Sequence, residues 1–166
     1  MVWHIGEILI QKKLITWDQL NRALEEQKKT RELTGEILVR NGFVSRKLLF
    51  KALADQHHMP FVDLRRVKIN PAAVALLPKS VAQTYLIMPV ELCADTLTVA
   101  VSNPVQLWPE ADLKQITRMR ELSRVLCLPE DVSQAIAEYY HEHPAAETVW
   151  GRTRGTGLQR EQVDLR

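Results

Sequence analysis

Two glutamines and two glycines of this chain hold matching places in a segment that says nearly the same thing twice. Gln27 closes the stretch His4–Gln27 (HIGEILIQKKLITWDQLNRALEEQ) and Gln56 closes Leu33–Gln56 (LTGEILVRNGFVSRKLLFKALADQ). The two 24-residue stretches align without a gap across the spacer Lys28–Glu32. Gly6 matches Gly35, Glu7-Ile8-Leu9 matches Glu36-Ile37-Leu38, and Leu20, Ala23, Leu24 and Gln27 recur as Leu49, Ala52, Leu53 and Gln56. These eight identities include a glycine pair and a glutamine pair, which a shared helical period alone does not bring into register. A side-chain amide both donates and accepts hydrogen bonds, and glycine lets backbone approach closely. The chemistry implied is recognition by two copies of one surface, suited to a two-fold symmetric ligand or to one ligand with two equivalent halves. Two copies are too few for a solenoid, so a paired site or a small helical subdomain is expected.

Other residue types offer less. His57-His58 are neighbours without a Cys or carboxylate cluster at ligand spacing, so no metal site is expected. Ser80 and Ser102 lack the Gly-x-Ser-x-Gly elbow. Glu25-Glu26 and Glu130-Asp131 read as exposed helix charges, because sequence neighbours do not face each other on a helix. Nothing resembles a Walker A loop. An enzyme is not expected, and no catalytic residue is assigned. Trp17, Trp108 and Trp150 are candidate interface anchors.

Composition sets the frame. With 46% apolar and 25% charged residues the chain is globular, and its 166 residues hold one ordinary domain or two small ones. A net charge of +2 argues against a large DNA or RNA footprint. No apolar run approaches the roughly 20 residues of a membrane span, and the start lacks signal-peptide order, so a cytoplasmic setting is expected. Cys93 and Cys127 lie in apolar runs and read as buried strand residues without a disulfide.

The elements that must position the paired residues follow from periodicity and punctuation. Each repeat reads as helix, turn, helix, with the two helices burying their stripes against each other. Ile5, Ile8 and Leu9 form one face; Thr16 with Gln19 makes a capping box; Asn41-Gly42 is a stop and Ser45 the next cap. Beyond Gln56 the pattern changes to an extended Pro60–Leu64, a helix opened by Asn70-Pro71, and another near Pro78-Lys79-Ser80. A hairpin of Leu86–Cys93 and Leu97–Ser102 follows, then a helix over 109–120, a strand Val125–Leu128 and a helix from Pro129 through Tyr140. The fold class is α+β: a pair of helical hairpins over 1–57, a small α/β subdomain with a short antiparallel-containing sheet over 58–141, and a linker-like or disordered tail over 142–166.

These features together resemble the N-terminal cyclic di-GMP-binding (MshEN-type) domain of the ATPases that drive type II secretion and type IV pilus extension. That family carries two 24-residue motifs five residues apart. Each begins Arg-Leu-Gly, has a second glycine seven positions after the first, and ends Leu-x-x-x-Leu-x-x-Gln. Gly6, Leu20, Leu24 and Gln27 fit the first copy, and Gly35, Gly42, Leu49, Leu53 and Gln56 fit the second. Pro60-Phe61-Val62-Asp63-Leu64, Asn70-Pro71, Asn103-Pro104 and the closing Tyr139-Tyr140 extend the likeness across roughly residues 4–140.

The resemblance implies a cyclic dinucleotide held across the repeats. Backbone N–H groups at helix starts near Gly6 and Gly35 would meet its phosphates. Gln27 and Gln56 would read guanine edges, and Leu20, Leu24, Leu49 and Leu53 would supply apolar contact. Where the family has Arg-Leu-Gly this chain has His4-Ile5-Gly6 and Leu33-Thr34-Gly35, and Lys13 replaces the inner glycine of the first copy. Histidine can stack on a base, leucine cannot, and Arg31 stands close enough in sequence to substitute. The expectation is a regulatory module with cyclic di-GMP as ligand, no other cofactor, and secretion or pilus motor components as partners. The alternative is a degenerate module of the same fold, in which the glycines and leucines only pack helices and the surface docks protein.

Overall fold

The computed structural model describes residues 4–106 and 110–142, and divides the chain into two compact units between Phe61 and Val62. The first unit contains four helices: α1 (Ile5–Gln11), α2 (Trp17–Thr30), α3 (Thr34–Arg40) and α4 (Arg46–Gln56). Caps set their starts. The Thr16 hydroxyl accepts from the Gln19 N–H, the Thr16 N–H donates to Gln19 Oε1 at 2.9 Å, and Ser45 Oγ accepts from the Leu48 N–H. The turns after α1 and α3 are equivalent, and Lys13 (φ 58°) and Gly42 (φ +71°) both take the left-handed conformation there.

Each repeat is helix-turn-helix as read from sequence, but the packing is crosswise. The expected burial of each hairpin's stripes against themselves is corrected: α1 lies chiefly on α4, and α2 on α3. The ten-residue core of this unit consists of five equivalent pairs, Ile8/Ile37, Leu9/Leu38, Ile15/Val44, Leu20/Leu49 and Ala23/Ala52. Lys12 Nζ lies 2.6 Å from Asp55 Oδ2 between α1 and α4, and Asn41 donates to Glu26 Oε2 at 2.8 Å between α3 and α2. Those two pairs occupy equivalent positions of the alignment, so the unit has an internal pseudo-two-fold relation.

The second unit holds α5 (Pro71–Ala75), α6 (Lys79–Tyr85), β1 (Ile87–Cys93), β2 (Thr96–Val101), α7 (Glu110–Thr117), β3 (Glu121–Leu126) and α8 (Pro129–Glu142). The sheet order is β1-β2-β3; β1 pairs antiparallel with β2, and β3 runs parallel to β2. A parallel neighbour needs a crossover, which the segment carrying α7 provides. Asn70 caps α5 by accepting from the Ala72 N–H. Tyr140 is buried and its hydroxyl donates to the Leu77 carbonyl at 2.8 Å, tying α8 to the end of the α5 turn, and burial pushes the phenol's pKa well up.

Several expectations change. Cys93 is exposed, at the open end of β1 where the burial pattern has lapsed beyond the bulge between Pro89 and Glu91. Cys127 is buried just past β3, where desolvation pushes its thiol pKa up to about 12. The third strand spans Glu121–Leu126 in place of the expected Val125–Leu128: pairing with β2 begins at Glu121, and its first four residues are largely exposed, so an apolar run does not mark them. The helix expected over 109–120 stops at Thr117, where Arg118 turns left-handed. Asp131 is buried: its carboxylate pairs with Arg65 Nε at 2.7 Å. Trp108, Trp150, His143 and the tail beyond Glu142 lie outside the described residues.

Replacing Lys13 by Gly removes a Cβ from a left-handed residue, and urea unfolding is expected to show a gain of about 1 kcal/mol. A Cβ on Gly6 would lie 2.6 Å from Leu20 Cδ1, whereas one on Gly35 would lie 3.0 Å from Leu49 Cδ2. Gly6→Ala is therefore expected to destabilise by about 1–3 kcal/mol of overpacking, while Gly35→Ala stays within about 1 kcal/mol of neutral because alanine's helix propensity offsets the smaller clash. Equal losses for the two variants would contradict this ordering.

Candidate ligand-binding site

The repeated residues divide into a buried set and a set at the helix junctions. Gly6 and Gly35 are each the second residue of a short helix, and each touches the leucine of its own repeat. Leu20 and Leu49 are thereby core residues, both 95% hidden from solvent. Leu24 is exposed, whereas Leu53 is half-buried against the core. Ile5 is half-buried and packs on the same core.

The second set centres on the α2–α3 junction. Thr34 Oγ1 donates to Gln27 Oε1 at 3.0 Å, and Gln27 keeps its amide nitrogen as a donor. Arg31 caps α2 in the left-handed conformation (φ 60°), its N–H donating to the Gln27 carbonyl at 2.8 Å, with an exposed side chain. Leu33 is the N-cap of α3, 68% exposed and unable to cap through its side chain. Gln27, Arg31, Leu33 and Thr34 are thus brought together. At the equivalent junction Gln56 is half-buried at the end of α4, but Thr34 is replaced by Ile5, which has no hydroxyl. His4 is exposed at the N-cap of α1, and its N–H donates to Glu7 Oε2 at 3.2 Å. The first helix start therefore already carries a carboxylate.

A network that single-residue reading missed locks the junction. Arg40 pairs with both Glu26 and Glu32, and Asn41 donates to Glu26. The Asn41 hydrogen bond, with the Arg40 charge, holds the Glu26 carboxyl below its ordinary pKa; the Glu32 hydrogen bond and charge raise that of Arg40. The signal for this network was present in the alignment, where Asn41 and Glu26 stand at the places of Lys12 and Asp55. Among the described residues no three His, Cys, Asp or Glu side chains converge to hold a metal ion, and no helix is long and apolar enough to cross a membrane.

A model of the MshEN domain matches residues 57–146. The chain belongs to the MshEN domain family. The match covers mainly the α+β unit, but a relative extends it: the type IV pilus assembly ATPase PilB of Myxococcus xanthus is 32% identical over 152 residues, 91% of this chain, a span that reaches into both repeats. Bacteriophage adsorption protein B of Escherichia coli is 28% identical over 82% of the chain. This MshEN chain spans 27% of the PilB length and 18% of the adsorption protein. Among solved structures, MshE with cdg, the cyclic dinucleotide cyclic di-GMP, superposes with a TM-score of 0.72 at 28% identity, covering 83% of this chain and 99% of that one.

The Glu26 linkage has a definite sign. An unfolded glutamate protonates near about 4.3, and the folded Glu26 protonates lower, so between those values the unfolded state binds more protons. Stability from this junction is present above about pH 4.3 and is lost as pH falls through the lowered folded value. Thermal unfolding of Glu26→Gln across that acid range is expected to show a shallower pH dependence than the parent; identical slopes would remove Glu26 from the linkage.

Proposed function

We propose that this MshEN chain is a non-catalytic regulatory module that binds cyclic di-GMP across its paired repeats and passes the binding event to a secretion or pilus motor or a related cytoplasmic partner. The observation that carries the reading is the 0.72 TM-score superposition on MshE with cyclic di-GMP, over 99% of that chain. The pseudo-two-fold core supports it, because a ligand with two equivalent halves is met by two equivalent helix pairs. The residues proposed for contact are His4, Gly6, Gln27, Arg31, Leu33, Thr34, Gly35 and Gln56, with Leu24 and Leu53 as the apolar contacts nearest the surface. Leu20 and Leu49 act behind them by seating the glycine backbones. Arg31, beside Gln27, takes the part of the absent motif arginine in one half, and His4 takes it in the other. Binding regulates only through a difference in affinity between two arrangements of the protein. No ATPase function is proposed for these residues, whose sequence has no Gly-x-x-x-x-Gly-Lys-Ser/Thr loop.

A second reading, a module of this fold that has lost the nucleotide and docks protein, is favoured by particular features. Leu33 stands where stacking and phosphate contact are needed, and Glu7 occupies the start of α1. Isothermal titration with cyclic di-GMP, against GTP as control, separates the two. One ligand per chain at micromolar affinity is expected, with Gln27→Ala and Gln56→Ala each weakening it by about tenfold or more as one or two hydrogen bonds are lost. Absence of heat from folded protein selects the docking module. Binding unchanged in both variants would remove the glutamines from the site.

A further inference from the structure

The pseudo-two-fold relation separates residues the fold requires from residues added to it. Core positions repeat in kind, but one surface of the first unit does not. Two clefts meet there at Leu14. One, of about 470 Å³, lies over Leu14, Leu48, Ala52 and Phe61 between Lys12, Lys51 and Asp55. The other, of about 390 Å³, runs from Leu14 past Ile10 and Lys13 to Trp17. Trp17 is 63% exposed and Leu48 39%. In the other repeat the positions of Trp17, Leu14 and Leu48 are held by Arg46, Phe43 and Gln19. The cap at Thr16 acts through its own side chain and that of Gln19, so α2 does not need an indole at its first position. Leu14, Ile10 and Ala52 belong to or pack on the core, but folding does not account for the exposed apolar area of Trp17 and Leu48 on this face.

Its charge is equally one-sided. The clefts are bounded by Lys12, Lys13 and Lys51. Against these stand Asp55, paired with Lys12, and Asp18, paired with Arg22. The Lys51 ammonium lies 6.0 Å from the centre of the Phe61 ring, at the edge of the groove. The whole chain carries a net charge of only +2, so this cationic rim is a local feature. An elongated apolar groove with an exposed tryptophan at one end suits an amphipathic helix, and a cationic rim selects acidic flanks.

We infer that the groove from Trp17 through Leu14 to Leu48 docks an acidic amphipathic helix of a partner protein. None of the residues proposed for nucleotide contact lines either cleft. The test is selection of a phage-displayed library of helix-forming peptides on the full chain, with Trp17→Ser as the counter-target. The expected pool places Asp and Glu beside apolar anchors at helical spacing. Its members are expected to lose about tenfold or more in affinity on Trp17→Ser and on Leu48→Ser, both exposed positions whose folding is checked by circular dichroism. Lys51→Glu keeps the apolar contacts, and is expected to weaken binding and flatten its decline between about 50 and 500 mM salt. A pool that binds the variants as well as the parent overturns the inference, as does a pool without acidic bias or no pool at all. Sedimentation velocity showing a dimer that Leu48→Ser dissociates would also overturn it, since the occupant would then be a second copy of the chain.

Discussion

The first unit turns on two glycine–leucine contacts, Gly6 with Leu20 and Gly35 with Leu49, which join each short helix to the one that follows it within the crosswise packing. A Cβ on Gly6 would collide with the terminal carbons of Leu20, and one on Gly35 would press more lightly on those of Leu49. That contact helps hold the short helices on the unit, which a seven-residue helix needs, since so short a helix is marginal without tertiary packing. It also fixes where the helix starts lie. A glycine chosen for backbone approach to a ligand and one chosen for helix packing look the same in sequence; here the packing role is visible in the distances, and the exposed groups beside it belong to the neighbouring residues.

The duplication has been preserved in the core and spent differently at the surface. Five pairs of core side chains answer one another across the pseudo-two-fold, and so do the contacts of Lys12 with Asp55 and of Asn41 with Glu26. The junctions have diverged. Thr34 and Gln27 share a hydrogen bond for which Ile5 offers no counterpart, and Arg40 adds two ion pairs at only one of the two helix contacts. A symmetric ligand would meet two unequal halves.

Much of this was legible. The helix boundaries of both repeats follow from Thr16, Gln19, Asn41-Gly42 and Ser45, because capping chemistry is local and each residue states its role within one turn. The β1–β2 hairpin and the Asn70-Pro71 start were readable for the same reason. What the sequence concealed depends on distant partners. Asp131 looks like an ordinary charge at a helix start until Arg65 arrives from far away in the chain. Glu121–Arg124 looks like loop because a strand at the margin of a sheet need not alternate. The pairing of α1 with α4 in preference to its own successor leaves no local trace, since both partners carry the same stripe. The contact-making part of the candidate site was harder than the fold, because Leu20 and Leu49 satisfy the motif equally as core residues.

The crosswise packing bears on the origin of the chain. Each repeat presents its first helix to the second helix of the other copy, so the interface within this unit is isologous in the sense of a two-fold dimer. A single ancestral hairpin could have met the same contacts by pairing with another molecule of itself, its stripe satisfied from outside. On that view the spacer Lys28–Glu32 is the later invention, a tether that turned an association between two molecules into a property of one. Once tethered, the copies no longer had to remain identical, and their surfaces were released to diverge while the buried pairs stayed matched.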